Sequence, residues 1–467
     1  MTLTARSLSL CAVFLLIVST AAVPAQDQSS TGEPADVAPD AAAEIQQATA
    51  DTDPEPEQGD DEEPTEDAEQ APEEDLTEVG PVEMKVANPN NVLQQLDESA
   101  GERAALFPYG PISFLYPPWQ ALNEKLDDEI GLRLGLTYYI LFQYTTPGPD
   151  PREAASGDFD FFGRWKLIGE EGGNRGILGF NLEHRHKYTS IPPSELNVGI
   201  GSIWRTTRGF TDSGFSFNEL WWDQRLANDQ VRIRFGTINP KHFYDLHRFK
   251  SQKRFFQSTP LSDSPTIDFP RNGLGAVIRL SPLKELHIAA GINDANGDRS
   301  VGGFDTFFGD AEFFPALNVA YTPTFEGLGE GRYSVTLWHI DARSNQGTPS
   351  GRGISALIEQ EVIDGVVPFV RYGYGDGADL AVEHLVALGV GLDRPFGRKD
   401  DRFGVGGSWA RPSGGLGRDQ WGFEAFYRFQ VTPVFQVSPG AQLIVNPSLN
   451  PDDDVIGVFQ LRLGFVF

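Results

Sequence analysis

The chain ends in a strict alternation. In its last segment, VFQLRLGFVF, Phe459, Leu461, Leu463, Phe465 and Phe467 fall on one face of an extended strand, while Gln460, Arg462 and Gly464 fall on the other. A period of two is a strand signal and excludes a helix here. Taken alone, the pattern fits two surroundings equally well. One is a soluble sandwich with its charged face in water; the other is a membrane barrel with lipid outside and a wet lumen inside.

The rest of the chain decides between them. Arg6, an apolar run over residues 8–18 and small residues over 21–25 form a secretory signal, with cleavage expected after Ala25. That run is too short to span a bilayer as a helix. Cys11, the single cysteine, lies inside the run rather than after it, which argues against a lipid anchor. The processed chain would therefore have no thiol, no disulfide and no cysteine metal site. The formal charge of −29 is concentrated in one place. Residues 27–80 hold 20 Asp or Glu, no Lys or Arg and no aromatic side chain. Residues 26–86 are accordingly expected to be a disordered acidic linker, unable to bury enough apolar surface to offset chain entropy.

Residues 87–130 form an N-terminal segment with one expected short helix. Pro117 and Pro118 start it, and Leu122, Leu126 and Ile130 follow at helical spacing. After the signal there is no apolar stretch of membrane-helix length, so any insertion must use closed strands. From residue 131 to 467 the period becomes two. Strands are expected to start near 131, 158, 175, 215, 230, 272, 285, 313, 331, 353, 366, 382, 401, 419, 433 and 456. The fold class is thus all-β, a transmembrane antiparallel barrel of about sixteen strands. Short connections (EEGGN, AND, SPLK, DG, TP) alternate with longer ones, the extremes being 187–214, 240–271 and 294–312. Such sorting fits a barrel with one short-turn rim facing the periplasm, and an even strand count puts both termini on that rim.

Parity then separates lipid-facing from lumenal side chains. Leu178, Phe180 and Leu182 outward leave Asn181, Glu183 and Arg185 inward; Leu220 and Trp222 outward leave Glu219, Trp221 and Asp223 inward. Likewise Arg232 and Arg234 alternate with Val231, Ile233 and Phe235, and Arg279 with Ile278. Glu424 and Arg428 share a face with Phe426, and Arg371 sits between Val370 and Tyr372 without clean alternation. A charge facing lipid costs about 2–4 kcal/mol at mid-membrane, so these groups belong in the lumen. They either pair along a wet wall or form a constriction. Planar guanidinium groups grip vicinal hydroxyls and aromatic faces carry a sugar's apolar face, so Arg with Trp in one channel suits carbohydrate. The loop at 240–271 combines Lys241, Arg248, Lys250, Lys253 and Arg254 with Phe243, Tyr244, Phe249 and Phe255. It is the best candidate to fold inward, an extracellular basic loop being the alternative.

Other motifs exclude chemistry rather than propose it. His184 and His186 share a strand face, but the outward one, which suits the membrane interface better than a metal pair. DANGD at 294–298 lacks the spacing of a calcium loop and reads as a surface turn. No GxSxG, P-loop or dinucleotide fingerprint stands in its required context, and none of the seven His has an obvious nucleophile partner. The reading has no catalytic residue, no metal, no cofactor and no nucleic-acid partner; the chain is not expected to be an enzyme.

Three stretches, VVPFVRYGYGDG (366–377), RPFGRKDDRFGVGGSW (394–409) and 423–467, resemble the C-terminal half of the carbohydrate-selective porin (OprB) family. NELWWDQRLANDQVRIRFGTINPKHFYD (218–245) is similar to that family's strand pair, and GLRLGLTYY to its first strand. The resemblance covers roughly residues 120–467. It implies a sixteen-stranded outer-membrane barrel passing monosaccharides such as glucose. The acidic tail lies outside the family pattern, and the loops at 187–214 and 240–271 resemble it least. The expectation is a passive sugar-selective porin in the outer membrane of a Gram-negative-type bacterium, with its acidic tail in the periplasm. A general or anion-biased diffusion porin is the alternative. Expected partners are small sugars, outer-membrane lipid and lipopolysaccharide, and the barrel-assembly machinery acting on the C-terminal strand. A homo-oligomer is compatible with this reading.

Overall fold

The computed structural model describes residues 89, 91–99, 103–110, 112–148, 150–169, 173–298 and 303–467. The signal segment and the whole of the acidic linker lie outside the described residues. Sixteen strands form one closed antiparallel sheet in which every strand pairs with its sequence neighbours. They are β1 (Leu132–Thr146), β2 (Glu153–Ile168), β3 (Arg175–Lys187), β4 (Gly214–Leu226), β5 (Val231–Ile238), β6 (Gly273–Leu280), β7 (Leu286–Asp294) and β8 (Phe313–Tyr321). The second half comprises β9 (Gly331–Ile340), β10 (Gly351–Gln360), β11 (Val366–Gly377), β12 (Val382–Asp393), β13 (Arg402–Pro412), β14 (Gln420–Thr432), β15 (Phe435–Val445) and β16 (Val455–Val466).

Closure is made by the alternating C-terminal strand. β16 pairs with β1 in a register that places Leu461 beside Phe142 and Leu463 beside Ile140. The seam finishes where Phe467 N–H donates to Leu136 O (2.9 Å) and Leu136 N–H to Phe467 O (3.2 Å). The two faces of β16 differ sharply: Phe459 and Leu461 are 55% and 41% exposed, Gln460 and Arg462 only 7% and 3%. Exposed apolar side chains and buried polar ones invert the soluble pattern. No described helix is long and apolar enough to cross a membrane.

β4 shows how parity survives an irregularity. Its pairing with β3 shifts between Asn181 and Leu182, so that Asn218 and Glu219 are both buried. This bulge moves the inward set from Ser216 to Glu219, Trp221 and Asp223. The turns keep the expected sorting. β4–β5 and β14–β15 are joined by residues 227–230 and 433–434, whereas 188–213, 239–272 and 295–312 are long.

Two segments enter the barrel. The first is helix α1 (Val92–Ser99), which buries Val92, Leu93 and Leu96 against Phe162, Ile177 and Trp221 of the wall. Only one helix was expected before the strands, so α1 is a correction: its eight residues are too short to give a periodic signal. The expected helix is α2 (Tyr116–Ile130), with Pro in its first turn and Gly131 in the left-handed C-terminal position (φ 73°). Asn123 Oδ1 of α2 accepts Leu134 N–H (2.7 Å), and Asp127 pairs with Arg133, Arg164 and Lys166 at the base of β1–β2.

The second segment is the β5–β6 connection, which folds inward with a short turn of helix (Thr259–Ser262). Its Phe249, Phe255, Phe256 and Leu261 pack on Val367, Phe369, Ala387 and Phe426 of the far wall. That wall leaves space for them. A Cβ on Gly391 of β12 would overlap the Phe249 ring, and one on Gly404 of β13 would press on Phe256 and Phe426.

Two outcomes follow from this packing. Leu461→Arg, facing lipid, should destabilise the barrel by about 2–4 kcal/mol in equilibrium folding into vesicles. Gly391→Val should leave the barrel folded by heat-modifiability but displace Phe249, and bilayer recordings should show a larger unit conductance than the parent.

Candidate functional site

The lumenal site begins at a single carboxylate. Asp223 of β4 receives Arg232 Nε at 2.7 Å and Arg234 Nε at 2.7 Å from β5, and Arg225 Nε at 3.1 Å from its own strand. Cross-strand register makes this unavoidable, since Asp223 is paired with Arg234 and Arg225 with Arg232. Arg225 also reaches Asp229 (3.3 Å), whereas Arg232 and Arg234 share Asp223 as their ion-pair partner. Arg234 also lies over the Trp221 ring (3.7 Å) and near Phe243 (5.4 Å). Trp221 Nε1 donates to Glu219 (2.9 Å), and His242 stands 3.3 Å from the same carboxylate. Arg279 of β6 makes no ion pair with any described residue. Together with Arg232, Arg234, His287 and Arg332 it borders a cavity of about 40 Å³ that Asn91, next to α1, also lines.

A second cluster lies on β2 and β3. Arg185 pairs with Asp158 (2.9 Å) and Glu183 (2.6 Å). Lys253 of the inward loop inserts its ammonium among Asp158 (3.0 Å), Asp160 and Glu183 (3.7 Å). The oxygens of these three carboxylates lie within 4.8 Å of one another, a geometry that would suit a metal ion, and the lysine supplies the cation.

A third set fixes the loop itself. Arg371 of β11 donates to Pro260 O (2.9 Å) and Asp263 O (3.0 Å) and pairs with Asp245 (3.2 Å). Glu424 of β14 accepts the Gln257 and Ser258 amides (2.7 and 2.8 Å), and Arg462 of β16 donates to Gln252 O and Phe255 O (2.8 and 2.9 Å). Arg248 reaches the short-turn rim, facing Asp393 (3.3 Å), Glu361 (3.5 Å) and Glu330 (3.8 Å). The loop therefore traverses the lumen. Removing one partner of such a buried pair strands the other, at a cost of about 3–5 kcal/mol.

All eleven side chains singled out in the sequence face the interior, but they fall into different company. Glu183 and Arg185 join the Lys253 cluster, and Glu219, Trp221, Asp223, Arg232, Arg234 and Arg279 form one patch of wall. Arg371 and Glu424 spend their hydrogen bonds on the loop backbone, and Arg428 lies beside Phe255 (5.3 Å) while donating to Asp400 O (3.3 Å). Asp158 and Asp160 escaped selection although they alternate with Phe159 and Phe161 in DFDFF, a period-two signal. Asp245 and Asp263 could not be found this way, because a loop has no parity. His184 and His186 face outward, ring centroids 5.2 Å apart, beside Tyr138 and Tyr188.

Where the loop starts, Lys241 meets Asp263 at 2.6 Å, with Arg208 (3.2 Å) and Lys250 (3.6 Å) on the same carboxylate. Burial pushes the Asp263 carboxyl up, but these three cations more than offset it and hold it well below the usual range. Burial, reinforced by Arg208, brings Lys241 down to about 7 despite its pairing with Asp263.

A closed sixteen-stranded barrel with an apolar outer wall, a polar interior and a loop folded across the lumen has the architecture of a porin, a channel-forming protein. The profile of the carbohydrate-selective porin, OprB family, matches residues 178–467, and the chain belongs to that family. The fold resembles Pseudomonas putida OprB, with a TM-score of 0.60 at 16% identity over 75% of this chain and 97% of that one. Among relatives, the porin AaxA of Chlamydia pneumoniae is 21% identical over 64% of this chain and 69% of its own length. Porin AaxA of Chlamydia trachomatis serovar D is 22% identical over 53% of this chain and 54% of its own.

Lys241 is charged below pH 7 and neutral above it, so anion preference should be greatest on the acid side and fall as pH rises through about 7. Reversal potentials in a KCl gradient on either side of pH 7 measure this, and Lys241→Arg should flatten the profile.

Proposed function

We propose that this chain is a passive outer-membrane channel for small carbohydrates, monosaccharides such as glucose foremost. The observation that carries the reading is the loop crossing the lumen. It sets partly exposed guanidinium and ammonium groups, each held by a buried carboxylate, along the lumenal wall with aromatic rings nearby. Arg185 with Glu183, Arg208 and Lys241 with Asp263, and the Phe243 ring supply the two halves of sugar recognition. Charged groups trade hydrogen bonds with hydroxyls, and a ring carries the apolar sugar face. Membership of a family described as carbohydrate-selective supports the same class.

In this reading Arg371, Glu424 and Arg462 do not touch solute. They position the loop, and so set the cross-section that the solute meets. The driving force is the solute gradient, and no residue performs covalent chemistry. Residues 1–25 are the export signal and the acidic linker a periplasmic spacer. The strand ending at Phe467 addresses the barrel to its assembly machinery, and the aromatic outer wall meets lipid and lipopolysaccharide.

Single-channel recording with graded glucose tests the proposal. Glucose should reduce the ion current saturably, and Phe243→Ala should raise the half-saturating concentration roughly fivefold, the equivalent of about 1 kcal/mol of ring contact. Liposome swelling should be faster with glucose than with a disaccharide or an anion of equal size. A current indifferent to glucose, with swelling rates ordered by size alone, would mean a general diffusion pore instead.

A further inference from the structure

The cavity beside β4–β6 has an unusual lining. Arg232, Arg234, Arg279 and Arg332 border it, and no carboxylate does. Nη2 of Arg232, Nη2 of Arg234 and Nε of Arg279 are buried without a hydrogen-bond partner. Buried donors of native proteins are almost always paired, and a charged donor left unpaired is the most costly kind. Asp223 does not resolve the imbalance, because its two oxygens already serve Arg225, Arg232 and Arg234. Every one of these unpaired atoms is a donor, so the missing partner must be an acceptor.

We propose that this cavity is a binding site for a compact oxyanion of the phosphate or carboxylate class, held by Arg232, Arg234 and Arg279 and flanked by Asn91. An oxyanion presents lone pairs in the planar fork geometry that guanidinium groups match. A neutral sugar is a poorer occupant, since each hydroxyl brings a proton needing an acceptor that the cavity largely lacks. Size points the same way. At about 40 Å³ the cavity takes a few waters or one small anion, whereas a cavity that accommodates benzene is about 150 Å³. Asn91 immediately precedes α1, and the helix packs on Trp221, the ring that stacks on Arg234, so the docked helix completes the site. The proposal rests on the chain forming a pore and is independent of whether that pore selects sugars.

The full processed protein in a planar bilayer tests it. Potassium phosphate added to KCl at constant ionic strength should reduce the chloride current saturably. Arg279→Gln should raise the half-blocking concentration about tenfold, the loss expected for one charge-assisted hydrogen bond. Arg279→Lys, which keeps the charge but not the fork, should fall between them. Acetate in place of phosphate identifies the class: comparable block marks a carboxylate site, and weak block a phosphate site. Calorimetric titration of the detergent-solubilised parent with phosphate gives a second readout should a variant fail to insert. A current and a calorimetric signal both insensitive to phosphate and acetate overturn the proposal, as does equal block in the parent and Arg279→Gln. Glucose titration in the same bilayers reads the sugar assignment separately, so either can fail alone.

Discussion

Inside a bilayer no water is present to take up an orphaned peptide group, and the rest of this molecule depends on that constraint. A strand with a free edge would leave a row of N–H and C=O groups unpaired at several kcal/mol each. The sheet therefore has to close, and it does so by laying β16 along β1 until Phe467 and Leu136 exchange both of their backbone hydrogen bonds. Closure also fixes the meaning of the pleat. Side chains of one parity meet hydrocarbon and those of the other meet a shared interior, so an arginine such as Arg462 is placed by its position in the alternation.

Once the wall is closed, the interior must deal with the charges it has received. The solution is electrostatic packing around an inserted loop. Asp223 gathers three arginines, Lys253 bridges three carboxylates, and Asp263 gathers two lysines and an arginine. The aromatic side of the loop rests on a wall from which side chains have been withdrawn at Gly391 and Gly404. Buried ion pairs add little net stability but make alternative arrangements expensive. Such pairing holds the inserted loop in one arrangement. Not every charge is paired: Arg232 and Arg234 share Asp223, and Arg279 makes no ion pair with any described residue.

The sixteen strand starts were legible because the period-two signal is local, repeated and tied to a face. Even the bulge at Asn218 and Glu219 left its mark in the sequence, as the outward set steps from Phe217 to Leu220 across three residues. Helix α1 was missed because eight residues give too few turns for a periodicity. The inward direction of the β5–β6 loop was readable only as one of two alternatives. Its aromatic and basic content suits burial in a lumen as well as exposure on a rim.

Sequence alone therefore determined the wall: its strand number, its lipid-facing set and the inward parity of Glu183, Trp221, Asp223, Arg232 and their neighbours. These follow from a two-residue repeat that any closed sheet in a membrane must obey. Only the tertiary structure decided how the inward residues divide their labour. Arg371 and Glu424 hold a loop, Lys253 crosses to β2 and β3, and Arg279 faces a cavity with no carboxylate beside it. The reason is physical. Alternation specifies which face a side chain occupies. Its partners lie tens to hundreds of residues away, and only the closed barrel brings them within hydrogen-bonding distance.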